Sequence, residues 1–215
     1  MPTTLSEETF REGLQFLADC DPALAQILLE LGEPPMWARE PGFPTLIHII
    51  LEQQVSLASA LAAYRRLLTA TDPLTPDRFL EFDDATLKTI GFSRQKTAYA
   101  RHLAQAILQG ELDLTRLNAL DDNAVRAELT KIKGIGNWTA DIYLLMVLRR
   151  PDIWPKGDLA LAIAVQRVLQ LATRPTPEEL ESLSLRWRPW RAVATRLFWH
   201  FYLSRCVKNK TQAVL

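Results

Sequence analysis

Cysteine is scarce in this chain. There are two in 215 residues, Cys20 and Cys206. They lie far apart, which fits reduced thiols inside a cell better than a disulfide framework. Neither has a near partner, so no zinc site is indicated. Long apolar runs are also missing, and without some 20 consecutive apolar residues no membrane span is expected. The acidic N-terminus lacks the basic flank and apolar core of a signal peptide. Alternating β-branched residues are absent, so no strand is expected. No internal repeat or low-complexity linker appears.

Net charge is missing too: 25 basic residues balance 25 acidic ones. Its distribution is uneven. The first forty residues are mostly acidic among their charges. Residues 182–215 contain no acid and seven bases: Arg186, Arg188, Arg191, Arg196, Arg205, Lys208 and Lys210. This asymmetry points to a basic face on a neutral molecule. The bases could instead snorkel around an amphipathic helix. Arg191 is the better phosphate candidate, ahead of Lys208 and Lys210.

What remains is helical punctuation. Periodicity and caps predict helices over 6–19, 22–31, 43–52, 55–70, 75–81, 84–90, 94–108, 114–117, 124–132, 138–148, 159–171, 177–187 and 190–206. The length suits one large domain or two tightly joined lobes.

The stretch Lys131-Ile-Lys-Gly-Ile-Gly-Asn-Trp-Thr-Ala-Asp141 is the most informative. Gly134 and Gly136 bracket Ile135, where the chain can turn sharply and Ile135 can plug back between two helices. Asn137 is a good N-cap for the helix that follows. The amides from Gly134 to Trp138 lack partners within a helix and sit at its positive end, a ready anion site. Side chains at the glycines would hold a phosphate away. A plain helical hairpin would explain the same residues.

A connector, Asp152-Ile-Trp-Pro-Lys-Gly157, then leads to Asp158 at the start of another helix. Asp158 reads as an N-cap. It also follows the hairpin by a fixed helix-plus-loop length, which makes it a candidate for chemistry.

At these residues the chain resembles the helix-hairpin-helix (HhH-GPD) DNA glycosylase superfamily. KGIGNWTADIYLLMVLRRPDIWPKGD resembles its hairpin, loop and aspartate signature. Ile50-Leu-Glu-Gln-Gln-Val-Ser56, Leu87-Lys-Thr-Ile-Gly-Phe-Ser-Arg-Gln-Lys96 and Trp187-Arg-Pro-Trp-Arg191 resemble segments of its alkylbase branch, the 3-methyladenine DNA glycosylase II type, in the same order. The resemblance covers about residues 45–205. It implies an all-α fold without the N-terminal β-rich domain of larger relatives. One glycosylase unit spans 1–215, in two helical lobes of about 1–42 plus 137–215 and 43–136. The helix-hairpin-helix lies at about 124–148, and a cleft between the lobes holds Asp158.

The implied activity is base excision. A nucleotide carrying an alkylated purine (3-methyladenine, 7-methylguanine) is extruded from damaged double-stranded DNA, and its N-glycosidic bond is hydrolysed to leave an abasic site. Asp158 would stabilise the developing positive sugar and orient the attacking water. Trp138, Ile142 and Tyr143 would line the base pocket, with Trp154, Trp187, Trp190 and Trp199 weaker candidates. An aromatic face suits a cationic base. Gln53, Gln54, Lys133, Gly134, Ile135, Gly136, Asn137, Lys156 and Arg191 would contact DNA, the Gln53-Gln54 loop filling the gap left by the extruded base. Both glutamines could equally be buried against backbone groups. Bifunctional relatives carry a lysine where this chain has Trp138, so a monofunctional enzyme is expected. The backbone carbonyls of Thr130, Ile132 and Gly134 match those that hold Na+ or K+ in the family. No other cofactor is required, and no four-cysteine cluster for iron and sulfur is present. Ile142 replaces a tyrosine seen in relatives, and the C-terminal end lacks a pocket tryptophan near Ser204, which favours small alkyl lesions. A monomer without membrane attachment is expected, in cytoplasm or nucleoid if bacterial and in the nucleus if eukaryotic. The alternatives are a non-catalytic, structure-selective DNA-binding module and a helical protein-interaction domain.

Overall fold

The computed structural model describes residues 4–212, with side chains as far as Arg205. The thiol of Cys206 and the amines of Lys208 and Lys210 lie outside the described residues. Twelve α-helices follow one another: α1 Glu7–Cys20, α2 Pro22–Leu31, α3 Phe43–Glu52, α4 Leu57–Ala70, α5 Pro76–Leu80, α6 Asp84–Ile90, α7 Arg94–Leu108, α8 Asp122–Thr130, α9 Asn137–Met146, α10 Leu159–Val168, α11 Pro177–Ser184 and α12 Arg191–Gln212. Short 3-10 turns occupy Leu117–Ala119 and Leu185–Trp187. Among the described residues there is no strand, and no helix is long and apolar enough to cross a membrane.

Polar side chains set most helix starts. Ser6 Oγ accepts from Thr9 N (3.1 Å) while Thr9 Oγ1 accepts from Ser6 N (2.9 Å), a reciprocal cap. Asp21, Ser56, Asp83, Ser93, Asp121, Asp158 and Thr176 each accept a backbone N–H at the head of the next helix. Each such cap contributes about 1 kcal/mol.

Several boundaries differ from those read in the sequence. The helix expected from Val55 begins at Leu57 because Ser56 caps it, leaving Val55 in the loop. The helix expected at 114–117 is a turn followed by the 3-10 turn at 117–119. Asp113 Oδ1 accepts from both the backbone N and the Oγ1 of Thr115, and so diverts the chain. The first hairpin helix starts earlier, at Asp122, because Asp121 Oδ1 accepts from Asn123 N and Ala124 N. Asn137 is not the cap of the second hairpin helix. Gly136 holds that position in extended backbone with no side-chain bond, and Asn137 is the first helical residue.

The chain divides into two compact units. One is Arg39–Leu148. The other consists of the described residues up to Ala38 and from Arg149 onward. The expected division assigned 137–148 to the other lobe. In the structure α9 packs on α8 and α3. Arg126 Nε donates to the buried Asp141 carboxylate at 2.7 Å, which ties the two hairpin helices together. Arg39 N donates to Met146 O at 2.9 Å, bringing the start of the unit to its end. The whole hairpin is therefore one piece of the first unit.

The first unit is organised on α3, whose Phe43, Leu46, Ile47, Ile49, Ile50 and Leu51 are all buried. A helix apolar on most of its circumference has to be enclosed, and α4, α7 and α9 enclose this one. Truncating Ile47 to Ala would cost about 2–5 kcal/mol. In the second unit α12 packs against α10, α2 and α1. The Trp187 indole N–H donates to Asp21 Oδ2 at 2.8 Å. Arg196 runs through the interior, donating from Nε to Met36 O at 2.7 Å and from Nη1 to Ala192 O at 2.9 Å. Burial pulls its pKa down to about 9.

Candidate active site

In the first unit the hairpin turn joins α8 to α9. Ile135 is buried and its N–H donates to Ile132 O at 3.0 Å, so the expected plug forms. The two glycines do different work. Gly134 has φ +99, and a Cβ there would overlap the Tyr99 ring on α7. Glycine is thus required at 134 by backbone conformation and by an aromatic neighbour, not by space for a ligand. Gly136 has an ordinary φ of −93, and a Cβ there would meet nothing within 4 Å. The open approach to the α9 amides is at Gly136. Lys133 and Asn137 are exposed beside it. Tyr99 was not visible as a hairpin residue in the sequence, since nothing local links positions 99 and 134.

Gln53 and Gln54 separate. Gln53 Nε2 donates to Gly134 O at 2.9 Å and to Thr139 Oγ1 at 3.0 Å. Gln54 is exposed and has φ +56, an uncommon conformation for a residue with a Cβ. Trp138 is half-buried on α9. Ile142 and Tyr143 are buried at 2% and 0% exposure. Burial without a hydrogen-bond partner pushes the Tyr143 hydroxyl up to about 12.

In the second unit Asp158 is buried (8% exposed) and caps α10. Its Oδ1 accepts from Leu161 N at 2.7 Å and from the Trp199 indole Nε1 at 3.2 Å. A carboxylate held by a backbone amide and an indole cannot swing, so its charge has a fixed address. Trp37 meets Trp199 edge-on, with centroids 6.4 Å apart. Trp199 therefore matters more than its standing among weaker candidates implied. Ser204, where relatives carry a tryptophan, donates from Oγ back to His200 O at 2.8 Å.

Four of the five described arginines of the C-terminal stretch pair with acids of their own unit. Arg191 donates from Nε to Asp152 Oδ1 at 2.7 Å and from Nη2 to Asp152 Oδ2 at 2.9 Å, and its side chain is 12% exposed. Arg186 pairs with Asp21, Arg188 with Asp152 and Arg205 with Glu30. Arg191 thus braces the connector before Asp158. Lys156, on the same connector, is exposed between Glu178 and Glu181, which raise its pKa.

No group of three or more His, Cys, Asp or Glu among the described residues could hold a metal ion. The carbonyls of Thr130, Ile132 and Gly134 offer only neutral oxygens, a donor type that suits a hard cation of low charge. Two of them already accept one hydrogen bond, Ile132 O from Ile135 N and Gly134 O from Gln53. A carbonyl oxygen has two lone pairs, so a second partner is compatible.

A glycine turn exposed at Gly136 in one unit and a fixed buried carboxylate in the other match the two halves of the sequence signature. The model of the HhH-GPD superfamily of base excision DNA repair proteins matches residues 47–189. The chain belongs to that superfamily. It is 27% identical over 201 residues to DNA-3-methyladenine glycosylase 2 of Escherichia coli, covering 86% of this chain and 68% of that one. A crystal structure of a DNA-3-methyladenine glycosidase from Bacillus halodurans matches with TM-score 0.71 and 28% identity, covering 88% of each chain. The Schizosaccharomyces pombe 3-methyladenine DNA glycosylase Mag1, solved in complex with abasic DNA, has the same fold, with TM-score 0.83, 24% identity and coverage of 87% and 95%. Each of these relatives bears a 3-methyladenine glycosylase name, and this HhH-GPD protein is similar to them. It spans 56 to 75% of the length of five curated relatives that it matches.

Proposed function

We propose that this HhH-GPD protein is a monofunctional DNA glycosylase. It hydrolyses the N-glycosidic bond of alkylated purines, 3-methyladenine and 7-methylguanine, in duplex DNA and leaves an abasic site. The single observation that carries this reading is the Asp158 carboxylate, buried and held on Oδ1 by Leu161 N and the Trp199 indole.

The chemistry follows from charge. An alkylated purine is already cationic and leaves readily, so its departure needs no strong general acid. The sugar left behind has oxocarbenium character, and a fixed negative charge stabilises it. Asp158 supplies that charge and orients water for attack at C1′. Trp138, on the exposed side of α9, offers a π face for the cationic base. The amides at Gly136 and Asn137, with Lys133 beside them, take a backbone phosphate. A monovalent cation on the Thr130, Ile132 and Gly134 carbonyls would add a positive contact to that phosphate. Gln54, presented outward, enters the stack when the damaged nucleotide leaves it. The protein acts as a monomer on DNA inside the cell.

Trp138 stands where a lyase would need an amine. Borohydride treatment during turnover should therefore trap no covalent protein–DNA adduct. The deciding experiment is mass spectrometry of bases freed from methylated duplex DNA. Release of 3-methyladenine and 7-methylguanine is expected. Tight binding to an abasic-site analogue with no base released would make the chain a DNA-binding module.

A further inference from the structure

We propose that Gln53 is a positioning residue: its amide couples the loop presenting Gln54 to the turn of the hairpin, so that phosphate capture and entry of residue 54 into the duplex act as one event. This rests on the glycosylase reading above and deepens it.

The end of α3 is held in a graded way. Lys96 Nζ, from α7, donates to Leu51 O at 2.6 Å. Arg39 grips the buried Glu52 carboxylate with two bonds, 2.9 and 2.7 Å. Gln53 reaches 81 and 86 residues along the chain to Gly134 O and Thr139 Oγ1. The Gly134 carbonyl can only accept, so the amide nitrogen has to face it and the orientation of the Gln53 amide is settled by chemistry. Gln54 is the first exposed residue after this run, with φ +56. A non-glycine residue persists in that conformation only when its surroundings impose it. The three preceding tethers are what impose it here.

The far ends of the Gln53 bonds matter as much. Gly134 O belongs to the hairpin turn, pressed against Tyr99 of α7. Thr139 is buried in the first turns of α9, next to Trp138. A phosphate drawn onto the amides at Gly136 and Asn137 pulls on the same turn that Gln53 holds. The Gln53 side chain is therefore the hydrogen-bonded link from the loop to the hairpin turn, beside the packing of α9 on α3. Gln53 shapes the outcome without touching the lesion, while Gln54 does the touching.

The test uses stopped-flow fluorescence with a duplex carrying a tetrahydrofuran abasic analogue beside 2-aminopurine, whose emission rises as its stacking is broken. This readout needs no catalysis. Gln53→Leu removes both bonds at similar volume. It should slow the fluorescence rise about tenfold, the expected effect of losing one to two neutral hydrogen bonds, while equilibrium affinity changes by under about threefold. Gln54→Ala should slow the rise as well, and the double variant should be no slower than Gln54→Ala alone, because Gln53 works through Gln54. If Gln53→Leu does not fold, Gln53→Glu serves. It keeps the length and can accept from Thr139, but cannot donate to Gly134, and the same slowing is expected. A rise at the wild-type rate in these variants overturns the proposal, as does a double variant that loses the product of the two single effects. An absent rise in the wild type overturns it too. The two readings part cleanly. A normal coupling pattern with no methylated base released sinks the glycosylase activity alone. Base release with an unaffected Gln53→Leu sinks the coupling alone.

Discussion

Asp158→Asn separates charge from shape at the proposed catalytic carboxylate. Leu161 N and the Trp199 indole both donate to Oδ1, at 2.7 and 3.2 Å. Both donors require an acceptor, so an asparagine would place its oxygen there and its NH2 in the position of the second carboxylate oxygen. Asparagine caps helices about as well as aspartate, so fold stability should shift by less than about 1 kcal/mol. What disappears is a negative charge that is only 8% exposed. Two unit charges about 4 Å apart interact by roughly 4 kcal/mol at an effective dielectric near 20. The sugar carries only part of a charge at the transition state, so about 3 kcal/mol is the realistic loss, the range found when a preorganised donor is removed from other active sites. That corresponds to a rate lower by about 100-fold or more. Single-turnover release of 3-methyladenine from methylated duplex measures it, with affinity for an abasic-analogue duplex and the melting midpoint as controls. Release within about threefold of wild type would refute the electrostatic role. A midpoint lowered by many degrees would refute the claim that the cap outlives the charge.

Trp199→Phe removes the indole donor but leaves the Leu161 bond. At 3.2 Å this is a long bond to a carboxylate, so the low end of the charged range, about 1.5 kcal/mol or tenfold in release rate, is expected; an unchanged rate with normal folding removes Trp199 from the positioning of Asp158. Gly136→Ala should fold normally, costing under about 1 kcal/mol because a Cβ there meets nothing, yet weaken duplex binding by covering the amides. Gly134→Ala should lose several degrees of melting midpoint, because it combines φ +99 with overlap of Tyr99; equal melting curves for the two variants would overturn the division of labour between the glycines. His48 stacks on Tyr64 at 4.2 Å between ring centroids and lies 3.6 Å from Glu52. Burial, aided by Arg39 and opposed by Glu52, lowers its pKa below 6.5. The unfolded chain then takes up the proton first, so this contribution is complete above pH 6.5 and is lost as pH falls through the folded value. Melting midpoints between pH 7.5 and 5 should fall less steeply in His48→Gln, and parallel slopes would show that His48 does not titrate as argued.

The fold was legible where the signal is local. Caps such as Ser6 and Asp158, and the helix stop at Gly32, act within four residues of their position, so reading neighbours suffices. Sequence and structure part where two local signals compete. Asn137 is a better cap type than Gly136, yet the turn through Ile135 sets the backbone first and leaves glycine at the cap. Asp113 likewise diverts the following chain into a turn that periodicity alone reads as helix.

The site divides along the same line. Asp158 and Gly136 stand out in the sequence because an acid opens a helix at a fixed distance after a glycine hairpin, whereas Gly134 proves to serve the turn itself. Their partners announce nothing. Trp199 stands 41 residues from Asp158, and one helical tryptophan looks much like another until its N–H is seen on a carboxylate. Arg191 shows the converse. Its segment was the part of the tail best matched to the family, and the guanidinium proves to be bound to Asp152, six residues before Asp158. Motif and role can both be real through an internal contact: Arg191 acts on the Asp158 carboxylate by bracing the connector that delivers it. Long-range partners thus decide what a recognisable residue does, which is why the Gln53 amide and the Trp199 indole, neither of them the obvious chemical group, are where the mechanism is most open to test.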